Sequence, residues 1–150
     1  MKREVRYQGA IIENHHMLLI KHTEHGGGRS YWFIPGGGLE AGETEEQCVA
    51  REMQEETHLV VNVEHLLLEE SELGGIYNRR KTFLCKPLSG KAKPGIEPET
   101  EANQHYAITE VRWFDLRDDG DWDQQMKQDT ITFSQVQQIR PLLGYENNNP

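Results

Sequence analysis

The chain has 150 residues, of which 35% are hydrophobic and 27% charged, a length and balance that suit one domain with an adequate core. Its 16 basic against 25 acidic side chains give a formal charge of −9, which opposes a nucleic-acid polymer as partner and admits a small anion where metal ions bridge it to carboxylates. No apolar run approaches the ~18 residues of a membrane span, and the opening MKREVRYQG lacks the apolar core of a secretory leader. Cys48 and Cys85 are isolated, without metal-ligand spacing, so reduced thiols in a cytoplasmic protein are expected.

In chain order, Val5 to Glu13 and Met17 to Lys21 are β-rich and flank Asn14-His15-His16, a hairpin turn. His22 to Ser30, with Gly26, Gly27 and Gly28, reads as a mobile loop. Tyr31 to Ile34 is a short buried strand, stopped by Pro35 and the glycines Gly36, Gly37 and Gly38. A helix starts at Thr44, which forms a capping box with Gln47, and Glu45 and Glu46 suit its positive end. Val49, Ala50, Met53 and Thr57 make the less polar stripe that should pack on a sheet. Strands recur at about Leu59 to Glu70, Lys81 to Leu88 and Val111 to Phe114. Ser89 to Gln104 is a long polar loop, and Thr132 to Leu143 a closing helix. Residues 1–144 are expected to form the domain, and 145–150 a frayed tail. This order predicts a mixed sheet covered by helices on both sides.

Glu52, Glu55 and Glu56 stand at i, i+3 and i+4, so they share one helix face. Like charges at that spacing cost a few tenths of a kcal/mol per pair. A solvated acidic face normally interleaves Lys or Arg at i+4. Here those positions are Glu56 and Leu59, and Arg51 is the one positive charge nearby. A divalent metal ion is the natural occupant of such a face, a plain solvated face the alternative. Because the carboxylates flank the apolar stripe, they are expected at the rim of a cleft.

Residues Gly37 to Leu59, GGLEAGETEEQCVAREMQEETHL, resemble the Nudix box, G-x5-E-x7-R-E-U-x-E-E-x-G-U, where U is a bulky aliphatic residue. Gly37 is the first glycine, Glu43 follows after five residues, and Arg51-Glu52 after seven more. Met53, Glu55-Glu56 and Leu59 take the remaining positions. His58 replaces the last glycine, which ends the helix in a left-handed conformation; the expected cost is of order 1 kcal/mol, with the ligands still in place.

The resemblance implies an α/β/α sandwich, a mixed β-sheet between helices, and metal-dependent hydrolysis of a nucleoside diphosphate linked to another moiety. Mg²⁺ or Mn²⁺ would be held by Glu52, Glu55 and Glu56 with the backbone carbonyl of Gly36. Arg51 and Glu43 would orient those ligands. A further glutamate often comes from the loop before the last strand; of Glu97, Glu99, Glu101 and Glu110, Glu101 is favoured. Gly37 and Gly38 shape the loop that meets the phosphates. The substrate would be a small nucleotide: a modified nucleoside triphosphate, a nucleotide sugar or a dinucleoside polyphosphate. The proline of ADP-ribose-specific relatives is missing between Val60 and Lys86, as is the extended motif of NADH-specific ones, whereas Tyr77 lies near the tyrosine of dinucleoside-polyphosphate relatives. Arg79 and Arg80 belong to a basic run that either binds terminal phosphates or makes a hairpin turn. Arg6, Tyr7, Lys21 and Trp32 either line the base or ribose pocket or serve the core and surface. Relatives are often dimers, so a homodimer is compatible with the resemblance. The rival reading is a non-catalytic, nucleotide-sensing module, which usually lacks the box carboxylates kept here.

Overall fold

The computed structural model describes residues 3–71, 73, 77–96 and 106–146. Its elements are β1 (Arg3–Glu13), β2 (His16–Glu24), β3 (Ser30–Phe33), β4 (Gly36–Gly37), α1 (Glu45–Thr57), β5 (Val60–Glu70), β6 (Tyr77–Ser89), β7 (Tyr106–Asp115), α2 (Gln124–Gln128) and α3 (Thr130–Leu142). Asn14 and His15 both lie at positive φ, 50° and 66°, the geometry a tight β1–β2 hairpin demands. β1 runs parallel to β6 and antiparallel to β4, and β6 is antiparallel to β5. The far end of β1 pairs with β2, which carries β3 on one edge and β7 on the other. The result is the expected mixed sheet of the α/β class.

Alternation along the strands divides the apolar residues between two cores. Tyr7, Ile11, Leu18, Phe83 and Cys85 pack beneath α1 against Cys48, Val49 and Met53. Ala10, Met17, Leu19, Trp32 and Phe114 face the other way, onto Met126 of α2 and Val136 and Ile139 of α3. The capping box forms as read: Thr44 Oγ1 accepts from Gln47 N–H at 3.1 Å, and Gln47 Oε1 from Thr44 N–H at 2.9 Å. Within the stripe, Val49, Met53 and Thr57 are buried and Ala50 partly so.

Several boundaries move because a distant partner claims the residues. β2 continues through His22 and Thr23, which pair with Tyr31 and Ser30 of β3, so the expected loop shortens to a turn. Asn78 to Lys81 is not a hairpin turn: it is the start of β6, where Arg79, Arg80 and Lys81 lie beside Val5, Arg6 and Tyr7 of β1. β7 begins at Tyr106 rather than Val111, and α2, capped by Asp123, is an element the sequence reading did not contain. Tyr145, placed in the frayed tail, is fastened by its N–H to Arg140 O and its hydroxyl to His15; residues 147–150 lie outside the described ones. No helix among the described residues is long and apolar enough to cross a membrane.

Candidate active site

β4 is two residues long and both are glycine. Gly36 has to be: a Cβ there would lie 2.3 Å from Tyr7 O and 2.9 Å from the Gln8 Cα. This close approach brings the Gly36 N–H within 2.8 Å of Glu56 Oε1, tying the glycine turn to the C-terminal half of α1. Glu52 and Glu56 are fully buried, and Glu55 is part-exposed, its side chain 34% accessible. The carboxylates therefore do not all stand at the rim. Two are buried, Glu56 against the Gly36 N–H and Glu52 beside Arg51.

Burying carboxylates is costly unless each is paired or bonded. Glu56 is bonded by the Gly36 N–H, and Glu52 is paired with Arg51. The Arg51 Nε and Nη2 grip both oxygens of Glu43 at 2.6 and 3.0 Å, a bidentate fork. Nη1 donates to Glu52 Oε1 at 2.8 Å and to Glu55 Oε2 at 3.1 Å, and Nη2 also donates to Gly38 O at 3.1 Å. One guanidinium thus joins the loop carboxylate, two helix carboxylates and the glycine turn. The fork from Arg51 holds the Glu43 carboxyl below the usual glutamate range, and Glu43 in turn raises the Arg51 pKa. Two of the three carboxylates of the acidic face, Glu52 and Glu55, are thus paired by a residue on the same helix. Glu52 and Glu56 each use Oε1 for the contacts above; their Oε2 atoms are buried as well.

Carboxylate oxygens are the hard donors that Mg²⁺ and Mn²⁺ take, so the donor chemistry of Glu52, Glu55 and Glu56 fits either ion. As placed, these side chains turn toward Arg51 and Gly36, and among the described residues no three His, Cys, Asp or Glu side chains converge on one point.

On the other side of β1 lies a cavity of about 240 Å³, lined by Arg6, Gln8, His22, Phe33, Leu73, Tyr77, Arg80 and the α3 residues Ile131, Thr132 and Gln135. Gln8 pairs with Gly36 in register, and Arg6 Nη2 donates to Ile34 O at 3.1 Å, so this cavity adjoins the glycine turn. Its volume falls below the ~300–1,000 Å³ of sites that swallow a whole ligand and suits one ring system. Of the residues expected to meet substrate, Arg6, Tyr77 and Arg80 line it. Tyr7 does not: alternation sends it to the α1 side, where its hydroxyl donates to Glu45 Oε2 at 3.2 Å and burial raises its pKa. Trp32 is also a correction, being fully buried in the α2–α3 core, edge-on to Phe114. Lys21 stands over the Trp32 ring, its Nζ 5.4 Å from the centroid. Arg79 turns away to pair with Glu69, and Arg80 is itself forked onto Glu70. Gly37 sits in the ladder opposite Tyr7. Glu110 is held by Arg112 on β7, while Glu97, Glu99 and Glu101 lie outside the described residues. The residues missed by sequence reasoning, Gln8, His22, Phe33, Thr132 and Gln135, come from four elements and carry no shared motif.

An acidic helix is thus pinned to a glycine turn beside a ring-sized cavity. The chain matches the NUDIX domain model over residues 4–132 and belongs to that family of hydrolases. It is 36% identical over 84 residues, 56% of its length, to "Putative nudix hydrolase 1" of Caenorhabditis elegans. It is 42% identical over 106 residues, 70% of its length, to "NAD-capped RNA hydrolase NudC" of Vibrio vulnificus. The chain spans 22% and 36% of the length of these two relatives. Among solved structures, a NUDIX hydrolase from Nitrosomonas europaea superposes with a TM-score of 0.70 at 23% identity, over 97% of this chain and 76% of that one.

Proposed function

We propose that this chain is a divalent-metal-dependent pyrophosphohydrolase that cleaves a phosphoanhydride bond in a small nucleotide, a nucleoside diphosphate linked to a second group. The observation that carries this reading is the shared face of Glu52, Glu55 and Glu56 on α1, with Glu56 bonded by the Gly36 N–H and Glu52 and Glu55 by Arg51. A phosphoanhydride is anionic and repels hydroxide; Mg²⁺ or Mn²⁺, when bound, neutralises its oxygens and lowers the pKa of an attacking water. Glu52, Glu55 and Glu56, with the Gly36 carbonyl, would hold the ion. Arg51 and Glu43 orient those carboxylates through the fork. Glu55, the one of the three open to solvent, is suited to accept the water's proton, and Glu101 remains the candidate from the following loop. The cavity beside β4 suits the base, with the Tyr77 and Phe33 rings to face it and Arg6 and Arg80 to face phosphates. A cytoplasmic location fits such a substrate.

The test is a panel of nucleoside triphosphates, oxidised nucleotides, nucleotide sugars and dinucleoside polyphosphates with Mg²⁺. At least one is turned over, EDTA stops the reaction, and Glu55→Gln and Glu56→Gln each lower kcat by several orders of magnitude. Nucleotide binding without turnover of any panel member would make the chain a sensor module. Full activity in the Gln variants would remove these carboxylates from the chemistry.

A further inference from the structure

The last carbonyls of any helix lack partners within it. In α1 they belong to the residues that matter most, since Glu55 and Glu56 occupy its final turn. His58 ends the helix at φ 65° and gives its N–H to Gln54 O at 3.0 Å. The following carbonyls are met by a segment from much further along the chain. Lys93 N–H donates to Thr57 O at 3.0 Å, Gly95 N–H to Glu56 O at 2.9 Å, and Ile96 N–H to Glu55 O at 3.0 Å. His58 Nε2 lies 3.2 Å from Pro94 O and closes the contact from the helix side.

The fit depends on one missing side chain. A Cβ on Gly95 would stand 1.9 Å from Glu55 O and 2.8 Å from the carbonyl carbons of Glu55 and Glu56. Those are helix backbone atoms and cannot yield as a side-chain tip would. Electrostatics point the same way. The helix brings its negative pole beside its own carboxylates and has no basic residue in its last turn. The three N–H groups of the strap supply the opposing dipoles.

We propose that Lys93 to Ile96 form a strap that positions the α1 carboxylates, with Gly95 as the positioning residue. The proposal rests on α1 carrying the metal-binding carboxylates. The side chains of Glu56 and Glu55 are held by the Gly36 N–H and by Arg51, and the strap adds a bond to the backbone carbonyl of each. Helix ends fray when their carbonyls lose partners, and a shift of ~1 Å in a catalytic group costs on the order of 10²-fold in rate.

The test compares Gly95→Ala with wild type and with Lys91→Ala, a control on an exposed side chain just before the strap. All are assayed well below their melting temperatures on whichever panel nucleotide the wild type hydrolyses. Gly95→Ala should lose about ten- to a hundred-fold in kcat with KM within about twofold. It should also bind Mn²⁺ more weakly, by titration of the free ion's electron paramagnetic resonance, and exchange the amides around Glu55 to His58 faster. Lys93→Pro, which removes a single N–H from the strap, gives a smaller loss in the same direction and stands in should Gly95→Ala fail to fold. Folded variants with faster exchange but wild-type kcat and Mn²⁺ affinity would reduce the strap to a helix cap and overturn the proposal. A wild type that binds Mn²⁺ yet hydrolyses no panel member would sink the functional reading alone, and Mn²⁺ affinity in Gly95→Ala would still decide the strap.

Discussion

His58 is a left-handed residue where only glycine adopts that backbone freely, with a cost of order 1 kcal/mol. Its side chain recovers part of this through Pro94 O, an exposed contact worth roughly 0.5 kcal/mol. Backbone strain is the larger quantity, so His58→Gly should raise unfolding free energy by roughly 0.5 kcal/mol. His58→Val, β-branched at positive φ, should lower it by more than about 1 kcal/mol. Urea denaturation measures both. Equal losses in the two variants would mean that the Pro94 contact dominates. The same positional logic separates Tyr7 from Arg6: neighbours on a strand face opposite layers, and one binds a helix while the other lines a cavity.

At the scale of elements, α1 was legible because its information is local. A 3.6-residue period places Glu52, Glu55 and Glu56 together whatever surrounds the helix, and Thr44 and Gln47 cap it within one turn. The strands were legible as strands but not as faces. Trp32 reads equally well as a base-stacking ring or a core ring until α2 and α3 are seen to cover it. Asn78 to Lys81 reads as a turn because its charges find their partners far along the chain, Arg79 and Arg80 at Glu69 and Glu70 of β5 and Lys81 at Glu45 of α1. The cavity was the least legible part, since its walls meet only in the folded chain.

The loop before α1 is joined to it by the Glu43–Arg51 fork, and that join is titratable. The folded pKa of Glu43 is depressed, chiefly by the hydrogen bonds from Arg51. The unfolded state therefore binds its proton first as pH falls. The fork's contribution is fully present above the unfolded value of about 4.3 and is lost progressively below it, through the lower folded pKa. Wild-type stability should fall with pH over that window more steeply than that of Glu43→Gln, which has no proton to gain there. Chemical denaturation at a series of pH values checks this, and parallel slopes would show that the fork contributes little.

Across the whole molecule, one sheet serves two cores, and successive residues of the same strands supply them: Ala10 and Ile11 on β1, Leu18 and Leu19 on β2. Neither layer can peel away without exposing a face of strands that the other layer needs ordered. The α1 core contains both thiols, fully buried, and burial pushes each up to about 12, helped at Cys48 by Glu43 and Glu52. At pH 8 the thiolate fraction of such a group is on the order of 10⁻⁴, against roughly a quarter for an ordinary cysteine. Iodoacetamide should therefore leave native Cys48 and Cys85 unmodified over times that label both in denaturant. The α2–α3 core contains Trp32 and Trp122, while Trp113 packs on the α1 side, so a Trp113→Phe variant reports fluorescence from the second core alone. In that variant the guanidinium midpoint for cysteine labelling should coincide with the fluorescence midpoint, because a shared sheet makes the cores one cooperative unit. Labelling that precedes the fluorescence change would show the α1 layer, and the carboxylates it bears, opening while the other core stays folded.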